Sequence, residues 1–224
     1  MKLLAIETSG AACSATVAAD GKFYTSYVAD AGTHSAALFP EIEKAFTLSG
    51  LTVKDMDAFA VSAGPGSFTG IRIGVAACKG LAWGLDKPTV GISSLEAAAW
   101  ASGAEGEICA LIDARHRQYY YAVFEERNGV YIRRCQDAVR PAEEIAAALG
   151  ENCTLTGEAA AGFAALFPER AFAVAEAGYP SLGVARAALF APKDRYVPAR
   201  DLEAVYLRLS QAERNLRQKT TQNT

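Results

Sequence analysis

Ala58-Phe59-Ala60-Val61-Ser62-Ala63-Gly64-Pro65-Gly66-Ser67-Phe68-Thr69-Gly70 is an apolar, strand-length run that breaks into a glycine-rich loop and opens onto a helix. The helix is expected over 70–84, with Thr69 as its candidate cap and Gly84 near its end. A glycine-rich loop before a helix presents free backbone N–H groups at the positive end of the helix dipole, which is a setting for phosphate or carboxylate. No Lys-Ser/Thr pair follows a glycine at P-loop spacing, so that motif is excluded. The competing account is structural: the glycines make a tight turn that lets the helix pack close to its strand. Only the first account makes Gly64, Gly66 and Ser67 phosphate contacts.

Working outward, strands are expected near 2–7, 12–19 and 22–28, the last two joined by the hairpin signal Asp20-Gly21. A helix over 35–49 follows, with Leu38, Phe39, Ile42, Ala45 and Phe46 on one face and Pro40 early in its course. Strand 58–63, helix 70–84, strand 88–92 and a helix from Ser94 complete the first half. Ser93-Ser94-Leu95-Glu96 is a capping box for that last helix. The second half repeats the order: strands near 107–113, 117–125 and 130–136 with the turn Asn128-Gly129, and a helix opened by Pro141. A strand near 153–156, a helix near 158–166, a strand near 171–175 and a helix near 181–190 follow. Each half therefore reads β-β-β-α-β-α-β-α, a domain duplication rather than a short repeat. Each first strand also ends on a carboxylate followed by a turn, Glu7-Thr8-Ser9 and Asp113-Ala114-Arg115.

This duplicated α/β order resembles the two-lobed actin-like (ASKHA, ribonuclease-H-like) architecture. The expected lobes are 1–103 and 104–224, with a tail from about 207 that either packs back on the first lobe or frays. In that architecture the two first-strand turns face a nucleotide's phosphates across the cleft. Glu7, Ser9 and Asp113 then join Gly64, Gly66 and Ser67 as candidate nucleotide contacts, with the two carboxylates near hydrated Mg²⁺. The bland account of both carboxylates is that they cap their own turns.

The 224 residues are 51% hydrophobic and 21% charged with a net charge of −3, an ordinary globular profile without the basic belt of an autonomous nucleic-acid binder. The five cysteines are scattered and form no CxxC or Cys/His cluster, which favours buried free thiols over disulfides or structural zinc. The N-terminus is too short and too soon acidic for a signal peptide, and the helix at 71–85 contains Arg72 and Lys79. A cytoplasmic chain without a membrane span is expected.

Leu4-Ala5-Ile6-Glu7-Thr8-Ser9, Thr33-His34-Ser35, Gly64-Pro65-Gly66-Ser67-Phe68-Thr69-Gly70-Ile71-Arg72, Asp113-Ala114-Arg115 and Tyr206-Leu207-Arg208 together resemble the TsaB (YeaZ) family over essentially the whole chain. The family commonly has Asp where Glu7 stands and Pro just before the late Tyr-Leu-Arg, where this chain has Ala204-Val205, which leaves the path of the last loop open. The resemblance implies a non-catalytic scaffold and activator in forming N6-threonylcarbamoyladenosine beside the tRNA anticodon. It implies a heterodimer with the metal-dependent paralogue TsaD, completion by the ATPase TsaE, a homodimer when alone, and tRNA contact only within the complex. No cofactor is required of this subunit; ATP or ADP with Mg²⁺ is left open at the cleft or in the assembly. The resemblance also implies docking through the helices 35–49 and 70–84, by Leu38, Ile42, Ala45, Phe46, Arg72, Ile73, Ala76, Ala77 and Gly80.

The paralogue carries a His-x-x-x-His after the strand that follows the glycine-loop helix, and Ser94 and Ala98 stand at those places here. Alanine offers no donor and a lone hydroxyl is a poor ligand, so no metal site and no catalytic residue is assigned. An ATP-dependent phosphotransferase using Glu7 and Asp113 is the alternative from another class. A peptidase built on Ser9, Ser14, Ser62 or Ser67 lacks a Gly-x-Ser-x-Gly elbow. Arg115-His116-Arg117 with Tyr119-Tyr120-Tyr121 suits RNA stacking, but strand alternation sends Tyr119 and Tyr121 to one face and Tyr120 to the other. Arg208, Arg214, Arg217 and Lys219 make the tail polar and basic, with a solvated tail as the simpler account.

Overall fold

The structure, a computed structural model, describes residues 1–176 and 178–208. Its first sheet contains β1 (Leu3–Glu7), β2 (Cys13–Ala19), β3 (Lys22–Val28), β4 (Ala58–Gly64) and β5 (Pro88–Ser93). They lie in the order β5-β4-β1-β2-β3, with β1 parallel to β4 and antiparallel to β2. The second sheet contains β6 (Glu107–Asp113), β7 (Gln118–Arg127), β8 (Val130–Arg133), β9 (Ala138–Pro141), β10 (Thr154–Thr156) and β11 (Ala173–Val174). Its order, β11-β10-β6-β7-β8, repeats that of the first. The duplication read from the sequence is thus a duplication of strand order.

Local chemistry accounts for the matching hairpins. Asp20-Gly21 and Asn128-Gly129 all have positive φ, between 51° and 79°, the conformation a tight two-residue hairpin demands. The expected strand 130–136 ends at Arg133 as β8, where the chain bends away, and β9 is a further strand, absent from the sequence reading, that flanks a different part of β7. Tyr119 and Tyr121 face one layer and Tyr120 the other, as alternation requires.

The helices are α1 (His34–Ser49), α2 (Phe68–Leu85), α3 (Ser94–Ser102), α4 (Ala142–Ala148), α5 (Ala160–Ala164) and α6 (Pro180–Phe190). They sort into layers. α1 and α2 cover one face of the first sheet, where Leu38, Ile42, Ile71 and Val75 meet Leu4, Ile6 and Val61. α3 lies between the sheets: Ala97 and Trp100 face the first, Leu95 and Ala99 the second. α4 and α5 cover the far face of the second sheet. β1 and β4 are buried on both faces, which is why they read as continuous apolar runs.

Two expectations about element ends change. α2 is capped by Ser67, whose hydroxyl accepts the Gly70 N–H at 3.2 Å, so the helix starts ahead of Thr69. Ser93 caps α3 by accepting from Leu95 and Glu96, but Glu96 does not reach back. Its carboxylate is drawn instead to Arg195 at 3.1 Å and Arg133 at 3.6 Å, since two guanidinium groups outcompete one amide. Pro141 closes β9 and stands at the N-cap of α4 rather than inside its first turn.

The lobe boundary is also not a simple cut near 103. α6 packs on α3 and on the first sheet through Val184, Ala185, Ala187 and Ala188. Gly183 permits this, because a Cβ there would collide with the Ala97 carbonyl. After α6, β12 (Val197–Pro198) pairs with β5 and becomes the first sheet's sixth strand. α6 and β12 therefore belong physically to the first lobe. The expected tail beyond Arg208 lies outside the described residues.

Of the cysteines, Cys13, Cys78, Cys109 and Cys153 are buried and Cys135 is half-buried, all as free thiols. Burial pushes the Cys78 thiol up to about 12.

Candidate functional site

Three segments converge at the glycine loop. The turn after β1 lies directly against it: Thr8 donates its hydroxyl to Gly70 O at 2.8 Å, and Ser67 N–H donates to Ser9 O at 2.7 Å. A side chain at Gly70 would strike the Thr8 carbonyl, and one at Gly66 the Ser9 carbonyl. From the other side Val205 N–H donates to Ala63 O at 2.7 Å, while Val205 O occupies the space a Cβ on Gly64 would need. Gly64 also has φ +113°, a conformation open to glycine. Tyr206 stacks on Phe68, and its hydroxyl accepts from Arg72 Nε at 3.1 Å.

Two of the loop's N–H groups are therefore engaged by protein. The Ser67 and Gly70 N–H groups, which a phosphate would need, are bonded to Ser9 O and Ser67 Oγ. Gly64, Gly66 and Ser67 do not line the cleft between the lobes. Gly66 and Ser67 stand instead against Ser9, and Gly70 against Thr8, a close approach that the glycines permit.

The inter-lobe cavity has a volume of about 330 Å³ and is lined by Glu7, Ser9, Ser94, Ala98, Thr156 and Glu158, among others. Ser94 and Ala98 thus both face the cleft. Glu7 is 4% exposed, and its Oε1 accepts the Ser9 N–H. Burial raises its carboxyl above the ordinary carboxylate range, against the lowering effect of bonds from Ser9, Ser62 and Thr8. Asp113 makes the same turn in the second half, accepting Arg115 N–H at 2.7 Å, but is exposed and lies outside the cavity lining. Both carboxylates cap their own turns. The sequence reasoning missed Glu158, whose carboxyl lies beside Gly10 and is raised by burial and by the charges of Glu7 and Asp113. Only the return of β10 to the cleft brings it there.

Nucleotide phosphates fit this donor set poorly. Among the described residues no Lys, Arg or His lines the cavity, its two charged groups are carboxylates, and one N–H of the neighbouring helix N-terminus is taken by Ser67 Oγ. Among the described residues no three His, Cys, Asp or Glu side chains converge to hold a metal ion.

The serines form a chain that ends on the Glu7 carboxylate and reaches no histidine among the described residues. Ser62 Oγ lies 2.6 Å from Ser94 Oγ and 3.4 Å from Ser9 Oγ. His34 Nε2 sits 2.9 Å from Gly10 O and 3.3 Å from Ala12 O, so it carries the proton and tethers the start of α1 to the β1–β2 turn.

On the outer helices the expected docking residues divide. Leu38, Ile42 and Ala45 are 0–4% exposed and face their own sheet, so they cannot also line an outer surface. Phe46, Ile73 and Ala77 are half-buried at the edge of that core. Arg72, Ala76 and Gly80 are exposed, Arg72 being held by Tyr206 and by the face of the Phe68 ring. Phe39, expected in the buried stripe, is 49% exposed, and Leu48 and Trp83 are 59% and 64% exposed. Glu41 takes the inward position, bonded by Ser26 and by Lys44 at 2.6 Å. Leu48 and Trp83 escaped the sequence reading because they lie off the apolar stripe.

The family model described as "TsaD: tRNA N6-adenosine threonylcarbamoyltransferase" matches residues 29–175. The Escherichia coli (strain K12) tRNA threonylcarbamoyladenosine biosynthesis protein TsaB is 34% identical over 65% of this chain and 64% of its own. The TsaB protein of Haemophilus influenzae is 39% identical over 54% of this chain and 53% of its own. YeaZ from Pseudomonas aeruginosa superposes with a TM-score of 0.81 at 28% identity, covering 92% of this chain and 99% of that one. The chain belongs to this family, in its TsaB (YeaZ) branch. It spans less than two thirds of the length of these two curated relatives, 64% and 53%.

The TsaB-like motifs meet in one place. Glu7-Thr8-Ser9, the glycine loop and Tyr206-Leu207-Arg208 interlock, and Arg208 donates to Ala114 O beside Asp113. The bond from Val205 N–H to Ala63 is one that a proline at that position cannot make. In this TsaB-branch chain, then, a backbone amide fastens the last loop.

Proposed function

We propose that this chain is the scaffold and activator subunit of a complex that transfers a threonylcarbamoyl group to the adenosine beside the tRNA anticodon. It works in the cytoplasm and is non-catalytic alone. It pairs with the metal-dependent paralogue TsaD through the exposed edge of α1 and α2, with TsaE completing the assembly and a homodimer forming when the partner is absent. tRNA is met only within the complex, and nucleotide acts in the assembly rather than in this subunit's cleft.

The observation that carries this reading is the outer face of α2. Ala76 and Gly80 are exposed, no neighbour lies within 4 Å of a Cβ built at Gly80, and the exposed Trp83 follows. Small side chains let a second helix approach closely. The absence of histidine at Ser94 and Ala98 supports the non-catalytic role.

Native mass measurement of the chain with and without the paralogue tests the pairing, together with turnover assays on ATP and Mg²⁺. A one-to-one complex and activity only in the mixture are expected. Robust ATP turnover by the isolated chain would overturn the reading in favour of a phosphotransferase.

A further inference from the structure

Among the described residues, the cavity between the lobes has charged side chains of one sign only. Glu7 and Glu158 lie on its wall, and no described Lys, Arg or His does. Among the described residues neither carboxylate joins an ion pair. The remaining wall is largely apolar, with Ala97, Ala98 and Ala101 of α3 and Ile112 of β6. Tyr27 and Tyr179, which also line it, meet edge to face with ring centroids 5.4 Å apart. Independently of the carboxylates, Thr156 is 1% exposed, lines the same cavity, and its hydroxyl has no hydrogen-bond partner among the described residues. A buried hydroxyl left unpaired costs about 1–3 kcal/mol, which a ligand's polar group can offset.

We propose that this cavity binds a small aliphatic ammonium ligand, a mono- or diamine, whose charged end is held by Glu7 and Glu158 and whose chain lies along the alanines of α3. The sign of the lining decides the class. An anion would meet two carboxylates with no compensating cation among the described residues, and a neutral ligand would leave the buried Glu7 without a counter-charge. An ammonium group donates to both carboxylates, the buried Glu7 and the exposed Glu158, and the tyrosine rings suit a cation. The mutual repulsion that raises the Glu158 carboxyl is relieved by the same cation. A volume of about 330 Å³ suits a compact ligand of this kind. This inference goes beyond the scaffold role and does not depend on it.

Calorimetric titration of the full chain with putrescine tests it, with Nα-acetyl-lysine amide as a stand-in for a partner's lysine and Mg·ATP as the opposing ligand. Saturable one-site binding of putrescine, weakened at least tenfold by Glu158→Gln, is the expected result. Thr156→Val is a second variant, expected to weaken binding less. Binding of the lysine analogue as well as putrescine would identify a protein side chain as an equal source of the ammonium group. Binding of neither amine, binding unchanged in Glu158→Gln, or saturable binding of Mg·ATP instead would overturn the proposal.

Discussion

The ring of Tyr206 lies on that of Phe68 with centroids 4.0 Å apart and planes 13° from parallel, fastening the last described segment to the first turn of α2. Arg72 completes the clasp, with its guanidinium 4.8 Å from the Phe68 ring centroid and its Nε donating to the Tyr206 hydroxyl. Aromatic pairs contribute about 0.5–1.5 kcal/mol beyond the area they bury, and a hydrogen bond to a charged group somewhat more. Tyr206→Ala should therefore cost about 2 kcal/mol in urea denaturation, and Tyr206→Phe about 1 kcal/mol. Equal midpoints for wild type and Tyr206→Ala would mean that the clasp contributes nothing to stability.

The glycines of α2 should separate by position. A Cβ at Gly70 would enter the carbonyl of the fully buried Thr8. Gly70→Ala should cost about 3 kcal/mol or leave the chain insoluble. Gly80 meets open space, so Gly80→Ala should stabilise by about 0.5–1 kcal/mol through helix propensity. Thermal melts of the two variants check both signs at once.

These glycines also mark what a sequence can reveal. The duplication was legible because its signals are local: Asp20-Gly21 and Asn128-Gly129 dictate hairpins, and the tyrosine alternation dictates the faces of β7. The fate of the glycine loop was not legible, since it depends on Thr8-Ser9 and Val205 arriving from distant segments. Nor was the crossing of α6 and β12 to the first sheet, which is long-range packing. Glu41 misled for another reason: a carboxylate paired with Ser26 and Lys44 can occupy a position in an apolar stripe and turn Phe39 outward.

Glu7 and Glu41 should give opposite pH dependences. Burial holds the Glu7 carboxyl above its ordinary value of 4.5. The folded chain therefore keeps a proton there that the unfolded chain has released, and stability falls as pH rises from 4.5 through the folded value. Glu7→Gln should thus gain in melting temperature over wild type as pH rises through that window. At Glu41 burial pulls upward but is outweighed by the bonds from Lys44 and Ser26, so its carboxyl lies below 4.5. Its stabilisation is complete above 4.5 and is lost as pH falls through the folded value, so the deficit of Glu41→Gln should shrink in acid. Parallel melting curves for the two variants across pH would contradict both assignments.

The docking proposal is tested most sharply by contrasting residues on the two sides of the same helices. Leu38 is fully buried, so Leu38→Ala should lower stability by about 2–5 kcal/mol, and any loss of pairing there would only report unfolding. Ala76 and Gly80 are exposed, and no neighbour restrains a side chain at Gly80. Arginine at either position adds a long charged side chain where a second helix would have to approach closely, while the monomer keeps its core. Ala76→Arg and Gly80→Arg should melt within a few degrees of wild type yet fail to coelute with the paralogue in size-exclusion chromatography. Retained coelution in both variants would place the interface elsewhere, whereas loss of pairing with an unchanged melt assigns it to the outer face of α2.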